Sequence, residues 1–402
     1  MIAWSQQVHT RLLHSGRAAA TVMLSATVAA TGGAALEQPP DASGVTDSTI
    51  RIGVESPVGS LSLDGENLGF GLAFDEANAG GGVHGRRFVW TDRRRESGAP
   101  AHVLAVARRM IDEDRVFALV NFSGPAIGEI AAYAKAQRVP LLFPHTALVS
   151  SEGERYLFTS FPRFEGEAEV MFRYLSETRG LRRLAIAHDP NTYGLLFRDL
   201  LQQHAARFGY QVAGATPILS RTPADLSAEF AALTSTTPDA IVMAIYPEQA
   251  QALMAARARA GWTGRMVSVG PLTDEASLAV PGGGADGTVG FCHSPDPERS
   301  DAPGVVRYRT ALSRAHPGRR FDRYTLYGYT FGRLVVAGME RAGRALTRER
   351  FIDAMETITN WDAGGVMPVV SLSSSNHHAQ RAGFICEMQR GRLVALTDWI
   401  AP

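Results

Sequence analysis

Residues 50–86 read IRIGVESPVGSLSLDGENLGFGLAFDEANAGGGVHGR. Ile50 to Val54 form an apolar strand pattern, followed by a polar loop that carries glycine and proline. The pattern predicts a helix that starts near Asp64 and stops at Gly80-Gly81-Gly82, with glycine supplying a left-handed C-cap. A strand that feeds a helix through such a loop is the opening unit of an open α/β sheet. In these sheets ligands bind outside the carboxyl ends of the strands, where loops meet helix N-termini. The loop Glu55 to Asp64 is therefore expected to line a site.

The glycines do not make that site a nucleotide cradle. A dinucleotide fold needs G-x-G-x-x-G directly after the first strand, and here that strand runs into Glu55-Ser56-Pro57-Val58-Gly59. Gly69 and Gly71 fall inside the predicted helix. The chain also lacks a G-x-x-x-x-G-K-[ST] phosphate loop and a G-x-S-x-G nucleophile elbow. No cofactor and no enzymatic activity are expected.

The length of 402 residues suits two ordinary domains, and 45% apolar with 20% charged residues is usual for a globular chain. Lys+Arg and Asp+Glu balance at 40 each, so there is no basic surplus of the kind that marks nucleic-acid binding. At the N-terminus, Arg11 and Arg17 precede the small apolar run Ala18 to Ala30, and Gly32-Gly33-Ala34-Ala35 follows. This order reads as a secretory signal over residues 1–35, cleaved near Ala35; the alternative is a disordered tail. The run is too short and too rich in Ala and Thr for a membrane anchor. Residues 36–47, with Pro39-Pro40, read as a linker, and the mature protein is expected in the periplasm.

Beyond the first unit, strands and helices alternate for over 200 residues. Strands are predicted at Phe88–Thr91, Val116–Val120, Val139–Phe143 and Tyr156–Phe161. The grammar restarts after Pro162, with strands at Leu184–Ala187, Tyr210–Ala215, Ala240–Ile245 and Met266–Val269. After about Val289 the pattern changes to helices at Val305–Ala315, Tyr324–Ala342 and Arg348–Ile358. Two short strands joined near Gly391 close the chain. Two runs of strand–helix units argue for two parallel-sheet lobes.

Polar residues collect at the predicted strand ends. Ser123 and Gly124 follow the third strand and precede a helix with Pro125 near its start, so their N–H groups suit an anion. His145 and Thr146 follow the fourth strand. Tyr193 and Tyr246 follow strands of the second run, and Asp274 and Glu275 lie after Gly270-Pro271. Together they suit a small zwitterion between two lobes. His377 and His378 fall in a polar run, Ser373 to Gln380, that reads as a solvated loop rather than a metal site. Cys292 and Cys386 are too few and too far apart for zinc; one disulfide and two buried thiols are equally open.

These segments resemble the type I periplasmic binding proteins of the leucine/isoleucine/valine-binding family, the substrate-binding subunits of ABC importers. The resemblance runs from about Asp47 to Trp399. It is carried by Asn78 to Arg86 (NAGGGVHGR), Val139-Pro140-Leu141-Leu142, Tyr193-Gly194, Pro238-Asp239-Ala240-Ile241 and Ala260-Gly261. It implies two doubly wound lobes joined by a three-strand hinge: lobe one at 48–161 and 292–382, lobe two at 162–291 and 383–402. It further implies that an amino acid or related amide, urea or aromatic acid binds between the lobes, and that the closed form meets a membrane permease. A ligand-sensing receptor module of the same fold is the alternative. Ser123, Gly124, Thr146 and Ala147 match the loops that meet the ligand carboxylate. Tyr193 and Tyr246 match the aromatic cover, and Asp274 stands near the acidic position for the ammonium. The family's threonine falls on Ala147, and Ser60-Leu61-Ser62-Leu63 lacks the usual aromatic. By the same resemblance both cysteines lie near lobe crossovers, where a disulfide would staple the hinge.

Overall fold

The computed structural model describes residues 42–401, apart from 58–59, 96–98, 125 and 281–283. The expected secretory segment and the first part of the linker lie outside the described residues. β1 (Thr49–Pro57) pairs in parallel with β2 (Arg87–Arg95) on one side and β3 (Ala118–Val120) on the other. β4 (Leu141–Leu142) and β5 (Leu157–Phe158) extend this sheet to the order β2-β1-β3-β4-β5. The second sheet repeats the plan. β6 (Arg183–His188), β7 (Gln211–Pro217), β8 (Ala240–Ala244), β9 (Arg265–Ser268) and β10 (Val289–Cys292) run in the order β7-β6-β8-β9-β10. β11 (Phe384–Gln389) and β12 (Arg392–Ala395) add an antiparallel pair at its edge. Every residue of β3, β8 and β10 is buried, as parallel strands covered on both faces require.

The first sheet is flanked by α1 (Leu61–Ala79), α2 (Pro100–Asp112) and α3 (Ile127–Ala136). It also carries α9 (Pro303–Ala315), α10 (Arg323–Ala342) and α11 (Arg348–Glu356) from late in the sequence. Phe331 of α10 packs 4.7 Å from Phe143, and Phe351 of α11 lies 5.8 Å from Phe117. The second sheet carries α4 (Phe164–Arg173), α5 (Thr192–Phe208), α6 (Ser227–Ser235), α7 (Pro247–Ala260) and the single turn α8 (Glu275–Leu278).

The structure departs from the sequence pattern at several places that bear on the site. α1 starts at Leu61, ahead of Asp64, because the Ser60 hydroxyl accepts the Leu63 N–H and caps the first turn. At its end Gly80 keeps φ −77°, and Gly81 and Gly82 take the left-handed conformation. α3 starts at Ile127, so Ser123 and Gly124 lie in the loop before it rather than in its first turn. β10 was hidden in a short, glycine-bearing run, VGFC.

The interior glycines of α1 are explained by helix packing. A Cβ on Gly69 would stand 2.2 Å from the Thr325 carbonyl oxygen of α10. A Cβ on Gly328 would stand 2.1 Å from the Glu66 carbonyl oxygen of α1. The two helices thus meet backbone to backbone, and no flexible side chain can yield. Gly71 instead faces Trp90 at ordinary contact distance, 3.5 Å.

The chain passes between the sheets three times: after β5, after β10 and before β11. These passes are strapped together. Thr159 N–H donates to His377 O (3.1 Å), Ala379 N–H donates to Thr159 O (2.9 Å), and Gln380 Nε2 donates to His293 O (2.7 Å). His377, expected in solvent, is 2% exposed and stacks on Phe158 at 4.1 Å, with Nε2 3.0 Å from Glu356. His378 Nε2 lies 2.7 Å from Phe161 O, and burial lowers its pKa. Both histidines therefore build the strap instead of a solvated loop. Cys292, the last residue of β10, is disulfide-bonded to Cys386 of β11. The bond lies where the chain leaves the second sheet and returns to it. Among the described residues no helix is long and apolar enough to cross a membrane, and no group of three or more His, Cys, Asp or Glu could hold a metal ion.

Two stability predictions arise here. Gly328→Ala should cost about 2–3 kcal/mol by overpacking, whereas Gly71→Ala should be neutral or stabilising by up to about 1 kcal/mol. Urea midpoints of the two variants would check this. Replacing both cysteines by serine opens a loop spanning a sequence separation of 94 and should cost about 4 kcal/mol. Unchanged thermal unfolding of that variant would show that the bond does not constrain the unfolded chain.

Candidate functional site

In each sheet the strand order reverses once, between β1 and β3 and again between β6 and β8. Such switch points open a crevice at the carboxyl ends of the strands. Of the residues predicted from sequence, Ser123 and Gly124 follow β3, and Tyr193 and Tyr246 follow β6 and β8, at these reversals; Thr146 and Ala147 follow β4, and Asp274 follows β9. At the first switch point the Ser123 hydroxyl donates to Glu55 Oε1 (3.3 Å), both groups being buried. Asn67 of α1 donates to Glu55 O (2.8 Å) and accepts from Asn121 Nδ2 (2.8 Å), tying the loops after β1 and β3 to one helix. Asn121 and Phe143, directly after β3 and β4, hold φ of 56° and 50°. A left-handed phenylalanine is strained, and such strain collects where a loop's course matters more than its comfort. Gly124 follows at φ 93°. Thr146 and Ala147 are buried after β4, and the Thr146 hydroxyl accepts the Leu148 N–H (3.1 Å).

At the second switch point Asn191 caps α5 and donates to the Tyr246 hydroxyl (2.9 Å). Tyr246 precedes Pro247, the first residue of α7; the Arg221 guanidinium covers its ring at 3.2 Å and pairs with Asp189. Tyr193 lies 5.9 Å from Tyr246 and 5.5 Å from Phe164, ring to ring. Its hydroxyl is buried without a hydrogen-bond partner. Burial pushes the phenol well above the usual tyrosine range, and the Glu167 carboxylate pushes it further.

Asp274 has a different occupation. Its Oδ1 accepts the N–H groups of Ala276 and Ser277, capping α8, and its Oδ2 accepts the Arg323 N–H of α10. Beside it Glu275 holds the Arg323 guanidinium through two bonds of 2.9 and 3.0 Å. Tyr324 reaches across to Ser277, hydroxyl to hydroxyl at 2.9 Å. The loop after Gly270-Pro271 thus serves to join α8 to α10.

Two carboxylate–histidine pairs complete the junction. Glu66 of α1 lies 2.7 Å from His145 Nδ1, and Glu167 of α4 lies 3.7 Å from His293 Nε2. The Phe161 ring stands between them, 5.3 Å from His145 and 5.2 Å from His293, and stacks on Tyr327 at 4.5 Å. Burial raises the Glu66 pKa, and the neighbouring His145 opposes that shift. Sequence reading placed His145 at a strand end but passed over Glu66, Glu167 and His293. The available signal was a glutamate one turn inside a helix whose preceding loop faces the cleft. Among the described residues, Asn121 Oδ1, Glu167 Oε2, Tyr193 Oη, His293 Nε2 and Gln380 Oε1 are buried without a hydrogen-bond partner. A native fold keeps few such atoms, and each costs about 1–3 kcal/mol.

Burial carries the Asp274 carboxyl up to about 6, with Glu275 adding to the effect. The folded form therefore holds this proton to higher pH than the unfolded chain does. Stability from this group falls as pH rises from about 4 through about 6, by on the order of 3 kcal/mol. Asp274→Asn keeps the capping oxygen and should remove that slope, measured by urea unfolding at pH 4.5 and pH 7.

A sequence profile of the periplasmic binding protein family matches residues 49–392. An amino acid binding protein of Pseudomonas aeruginosa is 25% identical over 305 residues, covering 73% of this chain and 79% of the relative. Among solved structures, a fatty acid ABC transporter substrate-binding protein from Thermomonospora curvata superposes with TM-score 0.78 at 20% identity, covering 90% of this chain and 94% of the other. A branched chain amino acid ABC transporter from Thermus thermophilus with bound valine gives TM-score 0.77 at 15% identity, covering 89% and 98%. At these identities the likeness establishes the fold: two doubly wound lobes of the type I periplasmic binding class.

Proposed function

Since this chain belongs to the periplasmic binding protein family, we propose that it is the extracytoplasmic solute-binding component of an ABC importer. It captures an amino acid or a related amide, urea or aromatic acid in the cleft between its lobes. Residues 1–35 serve as the secretory signal and 36–47 as a linker. Lobe one comprises 48–161 and 292–382, and lobe two comprises 162–291 and 383–402. The ligand rests against Ser123, Gly124, Thr146 and Ala147 on lobe one and is covered by Tyr193 and Tyr246 on lobe two. Asp274 shapes the wall through α8. Hinge closure presents both lobes to a membrane permease, and no bond is made or broken.

One observation carries this reading: Glu167 Oε2, Tyr193 Oη and His293 Nε2 are buried, neighbouring polar atoms that make no hydrogen bond among the described residues. A polar solute supplies the missing partners. An acyl chain laid against Glu167, Tyr193 and His293 would leave them desolvated and unpaired, at several kcal/mol. The amino acid binding protein of Pseudomonas aeruginosa and the valine in the Thermus structure support an amino-acid-like solute.

A thermal-shift screen of amino acids, amides, ureas and aromatic acids is the direct test. At a hundredfold excess over Kd a true ligand adds about 2.7 kcal/mol to stability. Tyr193→Ala and Tyr246→Ala should each weaken that ligand by at least about tenfold, since a buried aromatic contact is worth 1.5 kcal/mol or more. Unchanged affinity in both variants would place the ligand elsewhere.

A further inference from the structure

We propose that Glu167, with Tyr193 and His293, receives a primary ammonium group of the ligand. The inference rests on the reading of the interlobe cleft as the binding site, and it assigns the cationic end to α4 rather than to the loop after β9.

Glu167 is fully buried. Its position in the first turn of α4 suits an acid on electrostatic grounds, and its Oε1 accepts the Gly270 N–H. That accounts for one oxygen. Among the described residues Oε2 accepts no hydrogen bond; His293 Nε2 stands 3.7 Å away, an ion pair only when the imidazole is protonated, and makes no hydrogen bond either. Glutamine would keep the Gly270 contact without burying a charge. The carboxylate is worth its desolvation only if a cation meets it.

The neighbouring atoms define the cation's shape. Glu167 Oε2 is an acceptor, the Tyr193 hydroxyl oxygen can accept, and His293 Nε2 accepts in the tautomer that carries its hydrogen on Nδ1. All three are buried and make no hydrogen bond among the described residues. A primary ammonium has three N–H donors and no acceptor, so it matches this set, and a bond to a charged acceptor is the strong kind. A carboxylate or neutral hydroxyl would leave the Glu167 charge uncompensated. Gly270 keeps the space: a Cβ there would stand 2.6 Å from Glu167 Oε2 and 2.4 Å from the His293 ring. Asp274, the acid nearest in sequence to the expected position, has both oxygens committed to backbone N–H groups.

Calorimetric titration of the full mature chain tests this with paired probes. They are L-leucine against 4-methylpentanoate and L-phenylalanine against 3-phenylpropanoate, with isoamylamine and phenethylamine as amines lacking the carboxylate. The expected result is binding of at least one ammonium probe, with its desamino partner weaker by about 100-fold. Glu167→Gln should lose roughly 30-fold for the ammonium probe and narrow the gap to the desamino partner. A structural role alone would change stability and leave that ratio intact. Should Glu167→Gln fail to fold, Tyr193→Phe and His293→Gln carry the test, each expected to lower the ratio by about fivefold. Desamino probes that bind as tightly as the amines, or a ratio unmoved by every variant, would overturn the assignment and leave the cleft reading standing. If no probe of either class binds, the ammonium assignment falls, and the cleft reading is then decided by the amides and ureas of the thermal-shift screen.

Discussion

The backbone contact between α1 and α10 is the constraint from which the rest of the cleft follows. Gly69 meets the Thr325 carbonyl and Gly328 meets the Glu66 carbonyl at distances that exclude a Cβ. The helices are more than 240 residues apart in sequence, and nothing local fixes their register. Once the glycines interlock, Glu66 on α1 is held beside His145, and Tyr324 at the start of α10 is aimed at Ser277 of the other lobe. Asn67, one residue on from Glu66, then ties the loops after β1 and β3 to the same helix. A methyl group at either glycine would therefore disturb one packing contact and the wall of the cleft together.

Much of the fold was legible because the strands are buried on both faces and helices alternate with them. That signal needs only composition and period. The switch points were also legible in outline: Ser123, Tyr193 and Tyr246 were found as polar residues after strands, and the strand orders put them at the two reversals. What sequence could not reveal was pairing. Asp274 reads as a free acid until α8 and the start of α10 are seen to consume its oxygens. His377 and His378 sit in a polar run, yet Phe158 and the carbonyl of Phe161 bury them in the hinge. Glu167 looks like a first-turn glutamate that favours the helix dipole, and only its tertiary neighbours mark it out.

Contacts that join the lobes are of two kinds, and they answer to different demands. The strap at Thr159, His293 and Gln380 is short and made of two backbone bonds and one from the Gln380 side-chain amide. The Tyr324–Ser277 and Arg323–Glu275 contacts are made by side chains of α10 on α8. They include charged groups that regain full hydration when separated, so their net strength is small relative to their number. The proposed hinge mechanism would need this division, because a closed form held by strong permanent contacts would no longer depend on its ligand.

The carboxylate–histidine pairs fit that logic. Phe161 belongs to the first pass of the strap, and its ring touches both His145 and His293. Groups beside a hinge axis move least when a cleft opens. Glu167 and Gly270 are held together by the Gly270 N–H bond to Glu167 Oε1, with His293 beside them. The pair Glu66–His145 arrives from the other side with α1. Two buried acids brought toward one junction repel unless protons or a cation intervene, and burial already raises the Glu66 pKa. On the proposed hinge mechanism, closure without a cation would carry an electrostatic cost that a cationic ligand removes.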